Sequence, residues 1–199
     1  MKAVFLSFLV LLSIEDVQTD CALKRDQDGI KVYTCKTEGE RLKSLRAEFI
    51  LENTSFEKLQ NFLHDVPYYT KWQYNMIESV MLKKVSDNEM VYRTEVHAPW
   101  PVENRELIVK FTSVLDTVRQ TMDIVIANFE SDYPKKENVV RVPSSYATWH
   151  IVKQGSDLKV DYALRIDPGG SVPAWLVNMA MADGPHQSFR NLKREIKKR

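Results

Sequence analysis

Apolar side chains recur at alternate positions in two early segments of the chain. The Asp-Gly pair at 28–29 is a turn signal before a β-rich run at 30–35, and a second run holds Leu42, Leu45, Ala47, Phe49 and Leu51. A period of two puts successive side chains on opposite faces of a strand. The pattern therefore predicts two strands.

A helical pattern follows these strands. Thr54 and Glu57 have the spacing of a capping box, in which the first side chain caps the helix and the second reaches back to it. Pro67 marks the end of the segment. A helix of about ten residues is predicted here, with an apolar face formed by Phe56, Leu59, Phe62 and Leu63.

From residue 77 to residue 167 the period of two returns in segment after segment, and short polar turns join the segments. Consecutive strands joined by short turns pair as hairpins, so this region predicts an antiparallel meander. Its alternating members are Val80, Leu82, Met90, Tyr92, Thr94, Val96, Leu107, Val109, Phe111, Leu115, Met122, Ile124, Ile126, Ala147, Trp149, Ile151, Leu158, Val160, Tyr162, Leu164 and Ile166.

The last segment shows the period of an α-helix over about 25 residues. The residues 167–170, Asp-Pro-Gly-Gly, end the preceding strand, and Ser171 can cap a helix in which Pro173 occupies the first turn. A kink is expected at Gly184-Pro185, because proline removes a backbone donor. The apolar stripe consists of Trp175, Met179, Ala182, His186, Phe189, Leu192 and Ile196.

The order of these elements predicts an α+β helix-grip fold, in which a curled antiparallel β-sheet wraps around a long C-terminal α-helix. The chain has 199 residues, of which 44% are hydrophobic and 28% charged, so it suits one well-buried domain. The formal net charge of +1 gives no field that would attract nucleic acid, and no nucleic-acid partner is expected.

The N-terminus has an apolar run at 3–14 after a single lysine. A helical membrane span needs about 20 residues, so this run is too short to cross a bilayer. We expect a signal peptide over residues 1–19, a mature domain over 20–199 and an exported, periplasmic or extracellular protein. A buried first helix or strand is the alternative, and a lipoprotein acylated at Cys21 is a further one.

The chain has two cysteines, Cys21 and Cys35, and both follow the predicted signal peptide. In an exported protein they predict a disulfide that pins the N-terminal arm to the first strand. In a cytosolic protein they would be free thiols, so the disulfide and the signal peptide are one prediction. Two cysteines without a clustered histidine give no zinc pattern, and no metal or cofactor is expected.

Three segments resemble parts of START domains, the steroidogenic-acute-regulatory-related lipid-transfer modules. "APWPVENRELIV" resembles the proline-rich loop and Arg-acidic strand start of the family, and "DPGGSVPAWLVNMAMADGPHQSFRNLKREI" resembles its closing strand end and lid helix. "DGIKVYTCK" is similar to the first strand of many members. The resemblance covers roughly residues 22–197 and is that of a secreted, bacterial-type member of the helix-grip superfamily.

The resemblance implies a sheet wrapped around a hydrophobic tunnel, gated by the C-terminal helix and the 97–105 loop. It implies a protein that binds and transfers a lipid or other apolar small molecule and is not an enzyme. Trp100, between two prolines, would form part of the tunnel mouth and face the lid stripe. From periodicity alone, these side chains would be ordinary core. The expected ligand-binding residues are Tyr92, Trp100, Phe111, Met122, Trp149, Tyr162, Trp175, Met179 and Phe189.

Arg105 and Glu106 lie on opposite faces of a predicted strand, so they cannot both point inward. Arg105 is interpreted as a structural residue that ties the loop down. A charged pair inside the tunnel, as in a few family members, has no place here because the inward candidates Phe111 and Leu115 are apolar.

Catalysis has little support in the sequence. The four histidines lie on separate elements, no nucleophile motif is present, and only His97 and His186 could reach a pocket. A polyketide cyclase or aromatase-like enzyme of the same fold is the alternative function. The C-terminal basic residues could contact a membrane surface transiently, and a solvated helix end is the equal alternative.

Overall fold

The computed structural model describes residues 19–37, 44–170, 172 and 174–199; of residues 19, 174–180 and 182 it describes the backbone alone. Within these ranges the chain forms ten strands, three α-helices and one 3-10 turn. Residues 1–18 of the predicted signal peptide lie outside the described residues, as do Ser171 and Pro173 at the predicted start of the last helix. The strands are β1 (Thr19–Gln27), β2 (Ile30–Thr37), β3 (Ser44–Leu51), β4 (Met76–Lys84), β5 (Glu89–Val96), β6 (Asn104–Asp116), β7 (Thr121–Asn128), β8 (Val139–Arg141), β9 (Ser144–Gln154) and β10 (Asp157–Asp167); the helices are α1 (Phe56–His64), α2 (Tyr69–Trp72) and α3 (Ala174–Ile196), and the 3-10 turn Val66–Tyr68 precedes α2.

The ten strands form one curled, unclosed sheet in the order β1-β2-β3-β10-β9-β7-β6-β5-β4, with β8 paired to β6. All pairs are antiparallel except β6 with β8. Helix α3 packs against the inner face. The α+β helix-grip fold predicted from the sequence is confirmed. Among the described helices, none combines the length and apolar character that a membrane crossing requires.

The N-terminal arm is a strand, β1, which the sequence did not predict as one. Asp28 and Gly29 both have positive φ, 56° and 67°, which matches the tight two-residue hairpin turn that Asp-Gly favours. The turn sets the β1–β2 register, in which Cys21 lies directly opposite Cys35. The two cysteines form a disulfide, as expected, so the arm is fixed covalently to the sheet.

Helix α1 forms where the sequence predicts it, but its cap is one residue later than predicted. The Ser55 hydroxyl accepts a hydrogen bond of 3.1 Å from the Lys58 backbone N–H. Thr54 instead donates its hydroxyl to the Glu52 carbonyl. The Thr54 capping box is therefore wrong: both residues are suitable cap types, and the tertiary contacts of Thr54 decide which one caps.

Helix α3 packs solidly along its C-terminal half. Phe189, Leu192 and Ile196 are all buried against the sheet. The helix also contacts the β1–β2 hairpin: Arg25 forms an ion pair with Asp183, the His186 ring lies 3.2 Å from the Gln27 carbonyl, and Lys193 donates to the Asp28 carbonyl at 3.1 Å. The helix is continuous through Gly184 and Pro185, and the kink expected there stays a prediction.

The C-terminal cations lie at the end of α3 that packs against α1, and each has a partner. Lys197 pairs with Glu52 at 2.7 Å, Lys198 pairs with Glu195 at 2.7 Å, and Arg199 pairs with Asp65 and stacks on the Tyr68 ring. This arrangement does not favour the membrane contact that the sequence suggested for these residues, because their charges are neutralised by neighbouring carboxylates.

The outer face of the sheet carries a buried ion cluster. The Arg93 guanidinium binds Glu106 at 2.8 Å, Glu95 at 3.0 Å and Glu78 at 2.6 Å, with the side chains of Arg93 and Glu106 only 1% and 0% exposed. Two cations of the segment 129–141, Lys136 and Arg141, complete the cluster. The cluster therefore holds this segment against β5 and β6.

The ion cluster also explains why the first residues of β6 point to alternate faces of the sheet. Glu106 points to the outer face, whereas Arg105 points inward. Hydrogen bonds from Lys136 and Arg93 hold the pKa of Glu78, at the edge of the cluster, below its usual range. The sequence predicted that Arg105 and Glu106 point to opposite faces of the strand. It did not predict the ion cluster, because Arg93, Lys136 and Arg141 lie on separate elements.

Replacing both Cys21 and Cys35 by serine should lower the free energy of unfolding by about 3 kcal/mol, because an unlinked loop of this size gains chain entropy when unfolded. Urea denaturation measures the change. Reductant should lower the midpoint of the wild-type protein and leave that of the variant unchanged; a reductant-insensitive wild type would contradict the prediction.

Arg93→Met should destabilise the protein by about 3–5 kcal/mol, because it removes the fully buried cation that Glu78, Glu95 and Glu106 share. Arg119→Met is the matched control: that side chain is 82% exposed and reaches Asp116 only at 3.7 Å, so its loss should cost about 0–1 kcal/mol. Thermal and urea unfolding compare the two variants. Similar losses in both would show that the cluster adds nothing to stability.

Candidate functional site

A cavity of about 710 Å³ lies between the inner face of the sheet and the part of α3 around Gly184 and Pro185. Strands β5, β6, β7, β9 and β10 supply one wall through alternate residues. Helix α2 and the segment 73–76 supply the opposite wall, and residues 181–189 of α3 lie across it. The size is that of sites that enclose a drug-sized or lipid-like molecule.

The wall is mainly apolar because the inward positions of the strands are apolar. Leu107, Val109 and Phe111 on β6 face the space, as do Ala147 on β9 and Leu164 on β10. Their neighbours in sequence point to the outer face, as the period of two requires. An apolar guest would bury its own surface against these side chains and gain about 25 cal/mol for each Å² removed from water.

A layer of aromatic rings separates the cavity from the solid core. Phe49 and Phe189 stack with ring centroids 4.5 Å apart, and Phe189 meets Trp149 at 5.6 Å and Tyr162 at 5.0 Å in edge-to-face contacts. Beyond this layer, residues such as Leu192 of α3 are fully buried. The layer thus forms the floor of the cavity, and Phe189 belongs to both floor and core.

Three tyrosines bring hydroxyl groups to this floor. The Tyr69 ring lies 5.4 Å from the Tyr92 ring, edge to face, and the Tyr162 ring lies 5.3 Å from that of Trp149. Burial raises the pKa of all three phenols, so they are neutral hydrogen-bonding groups at any physiological pH. They can bind a polar group of a guest without introducing charge.

Arg105 is the one charged side chain among the described lining residues, leaving histidine aside. It donates to the carbonyls of Pro168 and Gly169 at 3.3 and 3.1 Å, and to that of Glu103. Burial lowers the pKa of its guanidinium. Arg105 thus ties β6 to the connection between β10 and α3, which agrees with the structural role predicted for it.

Gly169 makes that connection possible. Its φ is +66°, in the left-handed region, and a Cβ at this position would lie 2.9 Å from Cδ of Pro143. No larger residue fits without movement of Pro143.

Five of the nine predicted ligand-binding residues line the cavity: Tyr92, Phe111, Trp149, Tyr162 and Phe189. Their roles as ligand contacts stay predictions, although the structure brings them together. The side chains of Trp175 and Met179 lie outside the described residues. Trp100 and Met122 do not line the cavity.

Trp100 does not line the cavity, contrary to the expectation that it faces the lid stripe. Its side chain is 90% exposed. The Val102 backbone N–H donates to the Pro99 carbonyl at 3.0 Å, which closes a tight turn with Trp100 at its tip. Side chains at the centre of such a turn point away from the chain ends that the turn joins. Ala98, Pro99 and Val102 line the mouth in its place.

Met122 faces the interior of the protein, but its position along β7 lies beyond the end of the cavity. It is 1% exposed and pairs with Ile151 on β9, two inward positions beyond Ile126, which does line the cavity. At that level Met122 belongs to the buried hydrophobic core, together with Ile124 and Ile151. The alternation correctly predicted that Met122 faces the interior, and only tertiary packing decides where along the strand the cavity ends.

Sequence reasoning missed the wall supplied by residues 68–76. Tyr69, Trp72 and Tyr74 all line the cavity. The segment is too short for a period to be recognised, but its density of aromatic residues, four within 68–74, was an available signal.

The four histidines do not converge. His97 lines the cavity mouth, His64 contacts the Phe111 ring from α1, His150 pairs with Asp123 on the outer face, and His186 packs against the β1–β2 turn. Across the described ranges, no three His, Cys, Asp or Glu side chains are grouped so that they could hold a metal ion.

Comparison with known proteins gives consistent results. The family model of the START domain matches residues 22–195. An uncharacterised protein of Pseudomonas aeruginosa is 28% identical over 186 residues, 90% of this chain and 88% of that protein. The phosphatidylcholine transfer protein of Mus musculus is 28% identical over 169 residues, 83% of this chain and 78% of that protein.

A solved structure of a STAR-related lipid transfer protein from Xanthomonas axonopodis matches with a TM-score of 0.80 at 26% identity, covering 89% of this chain and 98% of that one. The structure of human STARD10 matches with a TM-score of 0.76 at 22% identity, covering 89% of this chain and 73% of that one, and supports the fold. With a curled sheet, a covering C-terminal helix and a family match over most of its length, this chain belongs to the START domain family.

Proposed function

We propose that this protein binds one hydrophobic, lipid-like molecule in the cavity and transfers it, with α3 and the 97–105 loop acting as the lid. The observation that carries the proposal is the apolar cavity itself, because a folded interior is normally packed without voids of this size. A guest restores the lost contacts. Relatives of this chain are lipid transfer proteins by name, which supports the same function here.

The cyclase alternative finds less support in the site. An enzyme of that type needs acid-base groups around its substrate. The described lining residues include His97 and Arg105 at the mouth and no carboxylate. Formation of a cyclised product from candidate polyketides would favour the enzyme, whereas exchange of an unchanged lipid favours the carrier.

Export from the cytoplasm belongs to the proposal. The Cys21–Cys35 disulfide supports an oxidising compartment, where such bonds persist. Contact with a membrane would occur at the cavity mouth, where Trp100 lies exposed at a loop tip, since tryptophan favours the membrane–water interface.

Ala147→Phe should abolish lipid binding, because Ala147 lines the cavity on β9 and a phenyl ring there would occupy the space of the guest. Purified protein is incubated with vesicles of bacterial polar lipid extract, re-isolated and extracted for mass spectrometry. The variant should retain less than about a tenth of the wild-type lipid. Ala163→Phe is the control, because Ala163 is exposed on the outer face of the neighbouring β10. Full retention by Ala147→Phe would contradict the proposal.

Gly184→Ala should slow lipid exchange several-fold while leaving affinity nearly unchanged. A Cβ at Gly184 would lie 3.6 Å from Cδ1 of Tyr74, an ordinary contact, so the variant fits. We propose that α3 flexes at Gly184 and Pro185 when the lid opens, so that this segment is the hinge. Alanine stabilises a helix interior by about 1 kcal/mol relative to glycine and should stiffen it. Transfer between donor and acceptor vesicles measures the rate. Arg190→Ala, at an exposed position of the same helix, should exchange at the wild-type rate; equal rates in both variants would exclude a hinge at Gly184.

A further inference from the structure

The first strand of the sheet is held mainly by its backbone ladder and one covalent bond. β1 lies at the edge of the sheet and pairs with β2 alone. Residues 20–24 are all exposed, so this part of the strand buries no side chain that would hold it in place. Segments with few buried apolar contacts open at a lower free-energy cost than the core strands of the same protein. The Cys21–Cys35 disulfide is therefore the strongest restraint on this end of β1.

The pairing of β1 with β2 is interrupted between this bond and the hairpin turn. The register shifts between Leu23 and Arg25. An irregularity of this kind leaves one residue, here Lys24, outside the ladder and disrupts the pairing locally. The disulfide lies on one side of the shift, and the turn at 28–29 lies on the other. If the bond is broken, β1 can separate from β2 up to the shift, and Arg25 becomes the first paired residue.

The residues directly after the shift hold α3. The Arg25 guanidinium pairs with the Asp183 carboxylate. Nε2 of His186 donates a hydrogen bond of 3.2 Å to the Gln27 carbonyl, since a carbonyl can only accept. The hairpin therefore contacts the helix immediately before and immediately after residues 184–185.

These two contacts lie on different sides of the proposed hinge. Pro185 has no backbone N–H, so the Met181 carbonyl lacks the donor that a regular helix would supply four residues later. The helix after this point is anchored in the core, where Phe189 is 3% exposed. Asp183 lies before it, in the part that moves when the lid opens. The Arg25–Asp183 ion pair thus connects the hairpin to the moving part of α3.

The disulfide can be reduced from the Cys21 side. Cys21 is exposed, whereas Cys35 is 3% exposed. A thiolate of an external dithiol attacks Cys21 Sγ, which breaks the S–S bond and releases Cys35 as a thiolate that takes up a proton. The second thiol then attacks the mixed disulfide and releases Cys21. In the net reaction the protein disulfide gains two electrons and two protons, and the dithiol is oxidised to its own disulfide.

We propose, resting on the lipid-binding function and the hinge above, that the Cys21–Cys35 disulfide is a redox switch for the lid. With the bond intact, β1 stays paired, Arg25 is held at Asp183 and α3 stays closed over the cavity. Reduction by a dithiol frees the end of β1. The Arg25–Asp183 ion pair then opens more often, and bound lipid exchanges faster.

The exchange rate can be measured whatever the lipid is. Protein is loaded from vesicles of bacterial polar lipid extract and mixed with an excess of vesicles of the same extract in isotope-labelled form. Mass spectrometry of the re-isolated protein follows the replacement of unlabelled lipid with time. Dithiothreitol should speed exchange by the wild type about two- to fivefold, the change that corresponds to the loss of one exposed ion pair. Cys21→Ser/Cys35→Ser should exchange at this faster rate with and without the reductant.

Arg25→Gln distinguishes the switch from a general loss of stability, because it keeps the disulfide and removes only the ion pair. It should exchange as fast as the reduced wild type, and dithiothreitol should change its rate little. Arg46→Gln is the matched control. It removes a partly exposed ion pair, 3.0 Å between Arg46 and Asp161, that joins β3 to β10. This control should keep the wild-type rate and the full response to the reductant.

An unchanged rate in the reduced wild type, a slow Arg25→Gln variant, or an Arg46→Gln variant as fast as Arg25→Gln would each overturn the switch and leave lipid binding standing. Retention of no lipid by the oxidised wild type would overturn the lipid-binding function as well.

Discussion

The structure depends on how far α3 can fill the curled sheet. The sheet curves over ten strands, whereas a single helix is a narrow cylinder of about 10 Å, so close packing is achieved along only part of the contact. The C-terminal half of α3 reaches that packing through Phe189, Leu192 and Ile196. Around Gly184 and Pro185 a space remains, and the aromatic layer around Phe49 and Phe189 separates this cavity from the closely packed region.

This division separates stability from function in space. The residues that hold the fold together lie below the aromatic layer and on the outer face, where the Arg93–Glu106 cluster binds the segment 129–141. The residues around the cavity border open space on one side. Side chains at the cavity, such as Ala147 and Tyr162, can therefore differ in size and polarity at a smaller cost to stability, which is how one fold serves different guests.

Alternation and helical period were sufficient to predict most elements and the fold, because both are local properties of the chain. They also grouped side chains by the face of each strand, and Phe111 and Trp149 line the cavity. Alternation alone did not decide whether Tyr92 and Tyr162 face inward, and the structure places both on the cavity wall. Whether a residue lies beside the cavity or beyond its end depends on its position along the strand relative to distant parts of the chain. The local sequence pattern does not contain that information. Met122 was misplaced for that reason: it lies in the packed core instead of on the cavity wall.

Trp100 and the ion cluster show a second kind of limit. A large apolar side chain in a stiff loop suggested burial, but a tight turn fixes the direction of its tip residue regardless of hydrophobicity. Arg93, Lys136 and Arg141 carry no shared pattern, and the sheet and its covering segment bring them together only after folding. Interactions between distant segments left no signal in a single sequence.

The hairpin of β1 and β2 packs against one side of α3 and restrains the part of the helix that covers the cavity. Arg25 and Gln27 of the hairpin hold α3 at Asp183 and His186, on either side of Gly184 and Pro185. The Cys21–Cys35 disulfide joins the two strands of this hairpin covalently. The Cys21–Cys35 bond is thus connected through the hairpin to α3, where Arg25 contacts Asp183 across 158 positions of the chain, and its loss would remove one restraint on the contacts between the hairpin and the helix.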